Sequence, residues 1–256
     1  MAADGFHRLH PEYFEPSPRW VRAVAGGVTV ASSRRAMLLR PPDGLPAYYF
    51  PAADVRQDLL APAGQARADA RYGPAALYHL AAGGRVLENA AWSYTAPPAA
   101  GPALAGYFAF EWKLMDAWFE EDEQVYVHAR DPYKRLDVCQ SSRHVAVFVA
   151  GTQVADSRRP YLLFETGLPT RYYLPKADVR MDLLVPSETH TQCPYKGTAS
   201  YYSIRVGDQL FENYVWYYPF PIPECPKIEN RLAFYNEKVD LVIDGEPQAR
   251  PQTKFA

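Results

Sequence analysis

The segment richest in chemistry is Thr189-His190-Thr191-Gln192-Cys193-Pro194-Tyr195-Lys196-Gly197. A cysteine acts as a nucleophile or redox group through its thiolate, and a neighbouring cation favours that form. Lys196 stands three residues after Cys193, and Pro194 between them suits a tight turn that brings the two together. The exposed N–H groups of such a turn can hold an anion. His190 and Tyr201 could transfer a proton or help bind a substrate. On this reading Cys193, Lys196 and His190 are the catalytic candidates. Tyr195, Tyr201, Trp216, Tyr218 and Arg180 are candidates for the binding surface. The competing reading makes Cys193 a small apolar plug and the segment only a structured turn, because free cysteine is among the most buried residue types.

Other candidates carry less. In Asp178-Val179-Arg180-Met181-Asp182, strand spacing would set Arg180 between two carboxylates on one face. A carboxylate pair could serve acid–base chemistry, but an ion-pair network that supports folding is the simpler account. The Trp216-Tyr217-Tyr218-Pro219-Phe220-Pro221-Ile222-Pro223 stretch is a proline-stiffened aromatic loop, suited either to a small-molecule pocket or to covering a core. His79, His128 and His144 show no metal-ligand spacing, and His144 is expected to satisfy a local hydrogen bond. The run Glu120-Glu121-Asp122-Glu123 reads as a solvated face. There is no C-x-x-C pair, phosphate-binding glycine loop or G-x-S-x-G motif. No metal site is expected, and no cofactor is indicated.

The elements that must position these residues are written twice. Val30-Ala31-Ser32-Ser33-Arg34-Arg35 matches Val154-Ala155-Asp156-Ser157-Arg158-Arg159, and Ala53–Leu60 matches Ala177–Leu184. Glu88-Asn89, Trp92 and Ala109-Phe110 match Glu212-Asn213, Trp216 and Ala233-Phe234, all at an offset of 124 residues. A register held over so many blocks is a duplication. The repeats are expected at 16–133 and 140–250, joined through Arg130–Ser142. The Cys-Pro-Tyr-Lys-Gly segment is not duplicated. Asp69, Tyr72 and Ala66 stand where the second copy has Cys193, Lys196 and His190, while Gly73 and Tyr78 persist. The backbone device is kept and the reactive groups are lost, which assigns the site to the second copy.

Each repeat reads as strands. Hairpins are expected over Trp20–Ala31, His144–Ala155, Leu77–Ala91 and Tyr201–Val215, turning at glycines. Tyr107–Trp118 fits either a strand or a short helix. With 24 prolines and 19 tyrosines, the chain favours short strands and irregular loops. A net charge of -2 argues against a nucleic-acid partner. No apolar run is long enough to span a membrane, and Met1–Pro18 lacks the apolar centre of a secretory signal. Three cysteines without such a signal suggest reduced thiols and a cytoplasmic location. A small molecule is the expected partner, and the duplication suggests a monomer or a weak oligomer.

Val179–Leu184, Cys193–Gly197, Trp216-x-Tyr218-Pro219 and Leu232-Ala233-Phe234-Tyr235 together resemble, in order, the motifs of the domain of unknown function 427 family, which carries an older nucleotidyltransferase-like label. The resemblance covers both repeats. It implies an all-β chain of two tandem β-tent-like domains with short helices or turns, an architecture also found in methionine sulfoxide reductase B and the thalidomide-binding domain of cereblon. Many proteins of that wider group bind zinc through paired C-x-x-C motifs, which this chain lacks. Family members often carry His directly before the Cys. Gln192 stands there in this chain, which leaves His190 as the candidate substitute.

Overall fold

The computed structural model describes residues 12–42 and 44–253. Residues 1–11, on which part of the N-terminal reading rests, lie outside it. The chain divides into two units near residue 131. Among the described residues there is no α-helix, only strands and short 3-10 turns.

The second domain contains two antiparallel sheets. The larger has seven strands in the order Leu136–Gln140, Tyr161–Glu165, Arg171–Leu174, Leu232–Phe234, Gln209–Tyr217, Gly197–Val206 and Leu184–Cys193. The smaller has four, in the order Thr152–Ser157, Val145–Val149, Asp240–Ile243 and Glu246–Pro247. The first domain repeats this plan. Its large sheet runs Tyr13–Pro16, Met37–Arg40, Ala47–Pro51, Tyr107–Phe110, Arg85–Tyr94, Gly73–Ala82 and Leu60–Asp69. Its small sheet runs Glu123–Val125, Ala117–Glu120, Val21–Ala25 and Val28–Ser33.

Strand alternation gives each large sheet two apolar faces. In the second domain Leu162, Leu174, Ile204, Val215 and Phe234 join Val145, Val147 and Leu241 of the small sheet in one buried core. Their neighbours Leu163, Tyr173, Ala199, Tyr201, Trp216 and Ala233 point the other way and form a separate cluster with Cys225 and Ile228. The first domain has the same pair of clusters. That second face, called the site face below, carries the candidate chemistry.

The four expected hairpins form. Gly83 and Gly84, with φ of 57° and 74°, supply the left-handed pair that a two-residue turn needs. Tyr107–Trp118 resolves into a strand, the 3-10 turn Trp112–Leu114 and a second strand beginning at Ala117. Two expectations need correction. The segment read as a linker contains Leu136–Gln140, an edge strand paired with Tyr161–Glu165. The acidic run is not solvated throughout. Glu120 is buried, accepts a hydrogen bond from the Tyr48 hydroxyl at 2.6 Å and pairs with Arg19. Only the three residues after it face water, because the strand ends there and the turn begins.

Candidate functional site

Cys193 ends strand Leu184–Cys193, opposite Gly197 at the start of the next strand. Between them Cys193–Lys196 forms a turn closed by the Lys196 N–H on the Cys193 carbonyl. Gly197 has φ of +98°, and a β-carbon there would lie 3.3 Å from the Phe220 carbonyl oxygen and 3.4 Å from the Ile222 nitrogen. The position therefore needs glycine twice over, for its dihedral and for the close approach. That approach holds the aromatic loop against the turn. Gly197 bridges Pro221, and the Ile222 N–H donates to the Lys196 carbonyl at 3.1 Å. The loop continues through a tight turn that buries Cys225 and Ile228 against the site face.

The turn carries Lys196 into the protein. Its residue exposure is 8%, and its Nζ lies 2.5 Å from Glu165 Oε2. Lys134 reaches the other oxygen of the same carboxylate at 3.2 Å and also donates to the Thr166 carbonyl. Burial works against the Lys196 charge, but the Glu165 carboxylate outweighs it and holds the ammonium above the ordinary lysine range. For Glu165, burial pushes the carboxyl up, but Lys196 and Lys134 outweigh it and hold the group below its ordinary value. Two cations thus share one buried carboxylate.

Around this centre lie Tyr173, Tyr218, Cys193 and Cys225. The fields of Cys193 and Tyr173 reach Lys196, and those of Tyr173 and Cys193 reach Tyr218. Burial raises the phenols of Tyr173 and Tyr218, so both stay protonated. Burial also pushes the Cys225 thiol up to about 11, against the pull of Lys196. Trp216 donates its indole N–H to the Tyr173 hydroxyl at 3.1 Å. Beside it Arg171 and Glu237 make a bidentate pair at 2.6 and 2.7 Å, with the guanidinium 5.5 Å from the Trp216 ring centroid. Tyr201 shares a 2.7 Å hydrogen bond with Thr191 on the same face.

The structure therefore brings together Cys193, Lys196, Tyr201, Trp216 and Tyr218. Tyr195 lies half-buried within the turn itself. Two expected members are not brought in. His190 pairs across the strands with Ser200, and Cys193 with Gly197. Three positions apart on a strand, His190 and Cys193 point to opposite faces. The His190 ring is exposed and bonds Ser200 Oγ at 3.2 Å. Arg180 sits where two 3-10 turns meet, bridged to the small sheet through Ala155 and Val179. It pairs with Asp182 at 2.6 Å in the open, while Asp178 binds Ser157 and Arg159. The turns replace the extended spacing that would have put Arg180 between both carboxylates. The same arrangement recurs in the first domain around Arg56 and Asp58, so it belongs to the fold. His144 bonds Asp156 at 2.9 Å. Among the described residues, no group of three His, Cys, Asp or Glu side chains is arranged to hold a metal ion.

The sequence reading missed Glu165, Lys134, Arg171, Glu237 and Cys225. At the repeat offset Glu165, Arg171, Cys225 and Glu237 stand where the first copy has Pro41, Ala47, Gly101 and Lys113. A comparison of the copies for charge and sulfur along their whole length would have flagged them. In the first domain Tyr72 takes the place of Lys196 and donates to Glu12 at 2.5 Å, while the Trp92–Tyr49 hydrogen bond persists at 3.4 Å.

The chain is thus a tandem pair of two-sheet all-β domains in which one copy carries a charged, thiol-bearing site face. Residues 13–121 and again 137–245 match the family described as a domain of unknown function, DUF427, and the chain belongs to that family. A search among curated proteins found no match. Among the described residues no helix is long and apolar enough to cross a membrane.

Proposed function

We propose that the second domain binds a small anionic molecule on its site face and that Cys193 acts on it as a nucleophile or redox thiol. One observation carries this reading. A buried carboxylate is shared by two lysines beside a half-buried thiol, and the first copy has lost the carboxylate, the buried lysine and the thiol together. The second lysine on that carboxylate, the half-buried Lys134, carries a positive charge that a bound anion can pair with. A bound carboxylate, phosphate or sulfonate group would do so, with Tyr218, Trp216 and Tyr201 as the aromatic wall and Tyr195 at the turn. Lys196 then acts mainly through its charge, because Glu165 already takes up its ammonium. The first domain is a scaffold for this chemistry.

The same pair of lysines also supports a second reading, a non-catalytic binding site in which Cys193 is only a lining residue. Alkylation tests both. Iodoacetate is an anion and iodoacetamide is neutral. The ratio of iodoacetate to iodoacetamide labelling should be higher at Cys193 than at exposed Cys139, and Lys134→Ala should lower it. Labelling of Cys193 only after unfolding would remove the thiol chemistry. An unchanged ratio would remove the anion site.

A further inference from the structure

The first domain has a hollow of about 470 Å³ on the face that corresponds to the site face. It opens beneath residues 100–103, at the edge made by Tyr13–Pro16 and Met37–Arg40, and Glu12, Phe14, Met37 and Tyr107 are among its lining residues. Register places Phe14 opposite Leu39 and Met37 opposite Tyr49. These side chains therefore share a face with the Tyr49–Trp92 pair. Phe14 and Tyr107 meet edge to face at 5.5 Å and 88°.

The second domain fills the same place with its own cations. The Arg231 guanidinium lies 3.9 Å from the Tyr161 ring centroid and donates to the Lys227 and Glu229 carbonyls. Lys227 Nζ donates to the Val138 carbonyl at 3.0 Å. At the repeat offset Arg231, Lys227, Tyr161 and Leu136 correspond to Tyr107, Ala103, Met37 and Glu12. Both cations are gone, side-chain volume is removed, and a carboxylate has appeared. Among the described residues, no lysine or arginine lines the hollow. The Arg71 side chain hydrogen-bonds the Tyr72 hydroxyl beside Glu12, although Arg71 is not among the lining residues. Glu12 accepts the Tyr72 hydroxyl through Oε1, and an ionised carboxylate has about four acceptor sites in all.

We infer that this hollow is a binding site for a small organic cation with an apolar body, an aryl- or alkylammonium ion. Such a ligand takes the place that Arg231 and Lys227 occupy in the other copy. Ring faces attract cations, and Glu12 supplies the counter-charge. The volume falls in the range of about 300–1,000 Å³ usual for small-molecule sites.

Calorimetry on the full chain tests this with three probes of similar shape: benzyltrimethylammonium, neutral benzyl alcohol and anionic benzoate. The cation should bind at one site, about tenfold or more tighter than the alcohol, a ratio that corresponds to roughly 1.4 kcal/mol. Benzoate should not bind there. Glu12→Gln keeps an acceptor for Tyr72 and should weaken cation binding several-fold. Ala103→Lys, which restores the second domain's ammonium, should abolish it, and Met37→Tyr provides the same test by volume should the lysine variant fail to fold. The inference is overturned if the cation does not bind at millimolar concentration, if the alcohol binds as well, or if folded variants bind like the parent.

Discussion

The Lys196 ammonium lies 2.5 Å from Glu165 Oε2, with the two side chains 10% and 5% exposed. Breaking such a pair from either end leaves a charge without its partner in a poor solvent, which typically costs about 3–5 kcal/mol. The two ends are not equivalent here. Lys196→Met leaves Glu165 with Lys134, whereas Glu165→Leu strips the carboxylate from both lysines. Urea unfolding should therefore show the larger loss for Glu165→Leu, and the double variant should recover much of it. Equal losses with no recovery would mean that the pair is not the energetic unit described.

The same residues set the acid limb of stability. Burial raises the carboxyls of Glu165 and Glu237, but Lys196 with Lys134, and Arg171 with Thr253, outweigh it and leave both below the ordinary 4.5. The unfolded chain then binds more protons as pH falls, so the stabilisation is complete above about pH 4.5 and drains away through the lower folded values. Thermal midpoints measured from neutral pH to about pH 3 should fall on that limb. Glu165→Gln should start lower and show a shallower fall. An unchanged slope would remove Glu165 from the account.

The Trp216–Tyr173 and Trp92–Tyr49 hydrogen bonds are the same device in two settings, at 3.1 and 3.4 Å. Tyr173 is fully buried and Trp216 nearly so, while Trp92 is half-exposed. Trp216→Phe leaves a buried hydroxyl without its donor and should cost about 1–3 kcal/mol beyond the volume change. Trp92→Phe should cost less, because the bond is longer and water can reach the ring. Denaturation midpoints that rank the other way would contradict this assignment.

The fold was legible because the duplication is written in residues that define backbone. Asn89 and Asn213 both take positive φ, 51° and 54°, at register shifts in equivalent strand pairs, which explains why Glu-Asn recurs in both copies. Half of the candidate site was legible because Cys193, Lys196 and Gly197 lie within five residues of one another. Glu165 and Lys134 were not, since Glu165 reaches Lys196 from a strand end 31 residues away and Lys134 joins it from a loop through the same carboxylate. His190 was misplaced for a simpler reason. Nearness in sequence says nothing about the face of a strand until the register is known, and Ser200 fixes it on the far side.

Gly197 is the hinge between the turn and the aromatic loop. Gly197→Ala forces a β-carbon into positive φ and against the Phe220 carbonyl and Ile222 nitrogen. It should cost at least about 1 kcal/mol and loosen the loop. Proteolysis near exposed Phe220 should accelerate in this variant, whereas Gly207→Ala, at a turn with open space around it, should leave cleavage unchanged. Equal cleavage in both variants would show that the contact does not hold the loop.

The three cysteines should separate by reactivity in the folded protein. Cys139 is exposed, Cys193 half-buried and Cys225 buried. Burial raises the Cys225 thiol to about 11 although Lys196 pulls it the other way, so at neutral pH it is both covered and protonated. Because the thiolate is the reacting form, its labelling should rise only as pH approaches that value or as the domain unfolds. Peptide mass spectrometry after brief iodoacetamide treatment should then find Cys139 and Cys193 modified and Cys225 intact. Glu165→Gln weakens the hold on Lys196 without uncovering Cys225, and so should not change this order. Modification of Cys225 together with Cys193 at neutral pH would mean that the loop from Pro219 to Asn230 opens on the labelling timescale, and the site face would then be accessible from that side as well.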